Sequence, residues 1–144
     1  FDFWCHEFKR PPIVEELISG PGLARIHRFC VAEDGHDAVT LLDPGDITQR
    51  AFAGGDAACR RAVELLVEGI GYEVRNFAVR TNALAGVLLW GGVLDRIESA
   101  LAWPPFARGL DASFGERLLP HLPVTLVKSD TLGLDGALVL AERL

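Results

Sequence analysis

The sequence predicts an α/β fold, helix-rich with few parallel strands. Three observations carry that expectation. A long apolar stripe (Cys59, Ala62, Val63, Leu66, Val67, Ile70, Val74, Phe77 and Ala78) recurs at three- and four-residue steps, the periodicity of an amphipathic helix. Two short apolar runs, residues 86–90 and 123–128, have the length and composition of buried strands. Helical stretches separate those runs, and strands joined through helices pair in parallel. Two strands make a marginal sheet, so further strands are expected upstream of this chain.

The elements follow in order. Residues 1–12 read as an irregular segment carrying aromatics, Cys5, His6 and the Pro11-Pro12 pair. Residues 13–18 suffice for a helical turn or two. Ser19-Gly20-Pro21-Gly22 is a break, and Ser and Pro are both favoured where a helix opens. A helix is predicted over residues 23–32, with Leu23, Ile26, Phe29 and Cys30 on one face. Residues 33–45 are polar and end in the turn signal Asp43-Pro44-Gly45. Asp46, with Gln49 three residues on, matches a capping box for a short helix ending near Gly54-Gly55. Asp56 caps the long helix that follows, which Gly69 and Gly71 each weaken by about 1 kcal/mol relative to alanine.

Gly91-Gly92 follows the first strand as a tight turn, then a helix is predicted over residues 93–101. Trp103-Pro104-Pro105 breaks it. Ser113, with Glu116 three residues later, caps a short helix. The last helix is predicted over residues 133–144, with Leu134, Ala137, Leu138 and Ala141 on one face. No internal repeat and no low-complexity segment interrupts residues 1–144, which read as one domain.

The 144 residues are 49% apolar and 24% charged, with a mean hydropathy of +0.23. A chain of this length buries about two-thirds of its unfolded surface and needs no disulfide or metal staple. No apolar run reaches the roughly 18–20 residues of a membrane span, so no membrane partner is expected. The net charge of −6 argues against nucleic acid, which selects a basic face. Three cysteines, Cys5, Cys30 and Cys59, give neither a disulfide framework nor a Cys-x-x-Cys zinc signature. They read as small buried hydrophobes whose free thiols suit a cytoplasmic location. His6, His27, His36 and His121 fit no metal-site spacing, so no metal ligand is expected. The chain has no Met and opens unlike a signal peptide, so it is expected to be cut or processed from something longer.

Four segments stand out together: Glu15-Glu16-Leu17-Ile18-Ser19-Gly20-Pro21-Gly22-Leu23, Asp46-Ile47-Thr48-Gln49-Arg50-Ala51, Val87-Leu88-Leu89-Trp90-Gly91-Gly92-Val93 and Asp130-Thr131-Leu132-Gly133-Leu134-Asp135-Gly136-Ala137. In order and spacing they resemble the C-terminal lobe of the bacterial ATP-dependent glucokinases. The resemblance runs from about Glu15 to the end and includes Cys59-Arg60-Arg61-Ala62. It implies one lobe of the actin/hexokinase-like (ribonuclease H-like) fold, from a parent that phosphorylates glucose with ATP and Mg²⁺. Phe1-Asp2-Phe3 resembles the residues after that family's Glu-Gly-Gly-His sugar motif, which would lie just upstream.

The resemblance also implies site residues. The glutamate four residues before Ser-Gly-Pro-Gly contacts glucose in the family, which here is Glu15. A carboxylate accepts two hydroxyl hydrogen bonds in fixed geometry, and charge-assisted bonds are the strong ones. Glu16 beside it reads as solvated. Gly91 and Gly92 correspond to the family's adenosine pocket, where absent side chains let a nucleotide lie on the backbone. Trp90 departs from the usual small residue there. Gly20 and Gly22 open a helix whose N-terminus suits anionic groups, so both are nucleotide-side candidates. Gly133 and Gly136 read as packing glycines of the last helix. The base aspartate and first phosphate loop lie in the family's N-terminal lobe and match nothing here, so no catalytic residue is named. The missing N-terminal lobe is therefore an expected partner, beside glucose and ATP/ADP, and family members are often homodimers. Cys5 stands alone before Glu15, unlike the Cys-x-Cys-Gly-x-x-Gly-Cys motif of the related zinc-bearing sugar kinases and repressors. A non-catalytic regulatory or interaction domain on the same lobe stays open, as does a purely structural helical module.

Overall fold

The computed structural model describes residues 2–36, 41–111 and 122–143. Eight α-helices, one 3-10 turn and two strands make up these residues.

The organising element is α5 (Ala57–Thr81), 25 residues long. Asp56 caps it as predicted: its carboxylate accepts the Cys59 N–H at 2.9 Å. The helix ends at Asn82, in the left-handed conformation at φ 52°, where asparagine is tolerated. The predicted stripe is its buried face, running from Cys59 through Val63, Leu66, Val67 and Ile70 to Ala78. Phe77 is the exception and is half exposed.

Helices α3 (Gly20–Glu33), α4 (Pro44–Ala53) and α7 (Pro104–Leu110) pack on that face. The core joins Leu23, Ile26 and Cys30 of α3, Ile47 and Ala51 of α4, and Ile97 and Ala100 beyond β1 to the α5 stripe. The α5–α7 crossing brings two backbones into direct contact. A Cβ at Gly109 would sit 2.9 Å from the Gly71 Cα and collide with the Glu68 carbonyl, while one at Gly71 would be 3.0 Å from the Gly109 Cα. The helix propensity lost at Gly71 is offset by backbone contact that no larger residue permits. Gly69 makes only ordinary contact with Ile18.

Several boundaries differ from expectation. Residues 1–12 are not irregular throughout: Asp2–Phe8 form α1. Phe3 and Trp4 pack edge-on with ring centroids 5.0 Å apart, and Phe3 lies 5.1 Å from Phe29 of α3. Glu7 pairs with Arg28. The aromatics are thus a docking face, and the two prolines come after the helix. Helix α2 (Val14–Leu17) is the predicted short turn. Helix α3 begins three residues early, because Ser19 accepts the Gly22 N–H at 3.0 Å and Pro21 fits the first turn. Asp43, not Asp46, caps α4, accepting the Gly45 N–H at 2.7 Å with Pro44 opening the helix.

Strands β1 (Val87–Leu89) and β2 (Val124–Leu126) pair in parallel, in the register Val87↔Val124, Leu88↔Thr125, Leu89↔Leu126. The single helix expected after β1 is split into α6 (Gly92–Arg96) and a 3-10 turn, Glu98–Ala102. Trp103-Pro104-Pro105 ends that turn and also starts α7, since proline fits the first helical positions. The helix expected after Ser113 lies outside the described residues. Helix α8 (Leu132–Ala141) is apolar and exposed along its whole length: Leu134 is 72% and Leu140 63% accessible. No helix of the described residues is long and apolar enough to cross a membrane.

Candidate functional site

The turn at Gly91-Gly92 sits where β1 meets α6. Gly91 adopts φ 143°, ψ 151°, a region essentially reserved for glycine. Its carbonyl accepts the Leu94 N–H at 3.0 Å and so starts α6. A Cβ at either glycine would meet nothing within 4 Å, so both backbones face open space. Trp90 is seated rather than strained. Its indole N–H donates to the Ser129 carbonyl at 2.6 Å. Its ring covers Gly133, where a Cβ would come within 3.3 Å. The expected packing role holds for Gly133; Gly136 faces open space.

Two cavities meet at this turn. The larger, about 730 Å³, is lined by Glu15, Ser19, Glu73, Phe77, Arg80, Trp90, Gly91 and Gly92 among others. The smaller, about 380 Å³, is lined by Gly20, Pro44, Thr48, Gly92 and Arg96 among others. Gly92 borders both. The fold therefore gathers Glu15, Gly91 and Gly92 around one opening and places Gly20 on its neighbour. Gly22 belongs to neither lining: it is buried, and a Cβ there would collide with the Leu17 backbone. Its smallness serves the α2–α3 corner.

Glu15 and Glu16 have opposite roles. Glu15 is exposed on α2 and lines the larger cavity. Its carboxylate bonds to no described residue. Glu16 is not simply solvated. It accepts both Arg10 guanidinium nitrogens, at 3.0 and 2.5 Å, and the Ile13 N–H at 3.0 Å. The Arg10 bonds, with the Ile13 bond behind them, hold its carboxyl below the usual glutamate value. Glu16 fixes α2, and α2 then presents Glu15.

Sequence reasoning missed Glu73, Arg80, Thr48 and Arg96. Glu73 and Arg80 stand seven residues apart on α5, a spacing that puts both on one helix face. Nothing in the linear order ties them to Glu15 or Gly91. Thr48 is buried, and its hydroxyl donates to the Pro44 carbonyl at 2.7 Å.

The two buried thiols, Cys30 and Cys59, offer no nucleophile at neutral pH. Burial pushes Cys59 up to about 12, helped by the Asp56 carboxylate, and Cys30 up to about 11. Cys5 is only half-buried, so two of the three thiols are core residues.

A sequence profile of the family described as Glucokinase matches residues 7–144. The chain is 34% identical over 132 residues to the glucokinase of Chromobacterium violaceum, covering 90% of this chain and 38% of that protein. It is 35% identical over 136 residues to the glucokinase of Cupriavidus metallidurans, covering 90% and 39%. Among solved structures it superposes on the glucokinase of an Antarctic psychrotroph with a TM-score of 0.85 at 26% identity, covering 99% of this chain and 44% of that one. The chain thus spans about 38% of the length of the first of these curated relatives.

Proposed function

As the chain belongs to the glucokinase family, we propose that it is the C-terminal lobe of an ATP-dependent glucokinase, a single domain that supplies parts of both substrate sites. The observation that carries this is the shared opening: Glu15, whose carboxylate bonds to no described residue, and the bare Gly91-Gly92 backbone line one cavity.

The chemistry asks for little else from these residues. Phosphoryl transfer needs the sugar hydroxyl held in line with the terminal phosphate and the developing charge stabilised. Glu15 accepts hydroxyl hydrogen bonds and fixes the ring. Gly91 and Gly92 admit the adenosine face of ATP against the backbone. Gly20 opens the 14-residue helix α3 beside Arg96 in the adjoining cavity, a positive setting for the nucleotide's phosphates. Mg²⁺ carried in with ATP would supply neutralisation of the phosphate charge. The proton acceptor for the sugar hydroxyl is a residue of the N-terminal lobe, so this lobe binds and positions without turning over alone. Free thiols suit a cytoplasmic enzyme.

Binding measurements test this. The 144-residue chain should bind ATP and glucose weakly and show no phosphorylation of glucose. Gly92→Leu inserts a side chain where both cavities open, at a residue with an ordinary helical backbone, and should abolish ATP binding while the helical circular dichroism persists. Binding of neither substrate would favour a non-catalytic interaction domain.

A further inference from the structure

Away from the two cavities, three ligand-type side chains converge on the junction of α3 and α5. The imidazole of His27, the carboxylate of Asp56 and the thiol of Cys59 place one donor atom each within 4.8 Å of the others. His27 and Cys59 are buried, and Asp56 is half-buried. We propose that His27, Asp56 and Cys59 form a binding site for one divalent transition-metal ion of the zinc type, pinning α3 to the first turn of α5.

The donor set suits that ion. Zinc takes nitrogen, sulfur and oxygen ligands together, whereas Mg²⁺ and Ca²⁺ take oxygen alone. Bond lengths of about 2.0–2.3 Å at tetrahedral angles put donor atoms roughly 3.3–3.6 Å apart. Donor atoms within 4.8 Å of one another therefore close by up to roughly 1.2–1.5 Å to reach bonding distance, the scale of a side-chain rotation. The charges balance: thiolate and carboxylate together match a 2+ ion. As Cys59 closes on the metal, its proton leaves to solvent and no electron changes hands.

The surroundings set the coordination. Asp56 is 31% accessible at its side chain and faces Arg50 across 3.9 Å. That pair is loose, and Arg50 is half exposed, so the guanidinium swings out as the cation enters. A water completes the fourth position on this open side. Cys30, three residues after His27 on the same helix, lies outside the triangle. Linear spacing hides the site because its ligands come from two helices.

Cobalt(II) is the probe, since a thiolate ligand gives it an intense sulfur-to-metal charge-transfer band. Titrated into the reduced 144-residue chain, it should give that band with an end point of one ion per chain, and zinc should displace it. Cys59→Ser, which leaves the backbone N–H bond to Asp56 in place, and His27→Gln should each lose the band while keeping their helical circular dichroism. Cys30→Ala and Cys5→Ser should keep it. Zinc should also raise the melting temperature of the parent chain but not of Cys59→Ser. The site is refuted if the folded parent chain gives no charge-transfer band. It is equally refuted if Cys59→Ser binds as the parent does, or if Cys5→Ser alone removes the band. In the first case the cluster is a hydrogen-bonded helix cap only; in the last the metal sits at the chain's half-buried thiol.

Discussion

Replacing Glu15 with glutamine isolates the sugar-site assignment. The change keeps the side chain's size, removes its charge and converts one acceptor into a donor. Glu15 is exposed and bonds to no described residue, so the fold should not register the substitution. The whole effect falls on the ligand. Losing a charged hydrogen bond of this kind costs about 1.5–3 kcal/mol. At about 1.4 kcal/mol per tenfold, glucose should bind roughly 10- to 150-fold more weakly. Calorimetric titration with glucose, and separately with a non-hydrolysable ATP analogue, reads this directly. The nucleotide constant should stay put, because Gly91 and Gly92 are untouched. Glu64→Gln is the silent comparison, since Glu64 pairs with Arg60 at 2.8 Å on α5 and lies outside the cavity lining. Glu16→Gln is no such control: it loosens Arg10 and the Ile13 N–H together and should lower the melting temperature. An unchanged glucose constant in Glu15→Gln, or an equal loss in Glu64→Gln, refutes the assignment.

Four further outcomes follow from the packing. Gly109→Ala drives a methyl into the Glu68 carbonyl and the Gly71 Cα, an overpacking that should cost about 1–3 kcal/mol, read as a lower midpoint in urea. Native thiol counting at pH 8 should find Cys5 reacting first, with Cys30 and Cys59 released only by denaturant. Because burial raises those two buried thiols from 9.0 to about 11 and about 12, their contribution to stability is intact below pH 9. It is lost as pH rises through those values, measurable as a falling urea midpoint in alkali. Finally, α8 with Leu84 and Leu88 leaves large apolar side chains open. The isolated chain should bind a hydrophobic dye and self-associate; a dye-free monomer at high concentration would count against that.

What the sequence made legible was whatever periodicity or capping encodes locally. The α5 stripe, the Asp56 cap and the two parallel strands could be placed because each rests on spacing within a few residues. Helix α1 escaped because its aromatics gain meaning only against Phe29, distant in sequence. Helix α7 is hidden in the linear pattern because Pro104-Pro105 signals the end of one helix and also fits the first positions of the next. The site divides the same way. Glu15, Gly91 and Gly92 were found through resemblance. Arg80, Arg96 and the His27, Asp56, Cys59 group are assembled by tertiary packing, which linear spacing does not record. Glu16 differs: its partner Arg10 is near in sequence, within the stretch between α1 and α2, but neither helical nor strand spacing marks a pair made across an irregular segment.

The seating of Trp90 gives this protein an optical handle of its own. The indole stands on the cavity wall beside Gly91, anchored through its N–H to Ser129 and half open to water. Fluorescence from such a ring shifts to the blue when a ligand displaces the water on its free face. The other two tryptophans are placed differently: Trp4 packs among Phe3 and Phe29, and Trp103 lies 3.3 Å beneath the Arg60 guanidinium carbon. Neither borders the cavity, so both contribute a constant background that Trp4→Phe and Trp103→Phe would remove. A single-tryptophan chain would then report nucleotide or sugar binding by emission alone, with no label attached.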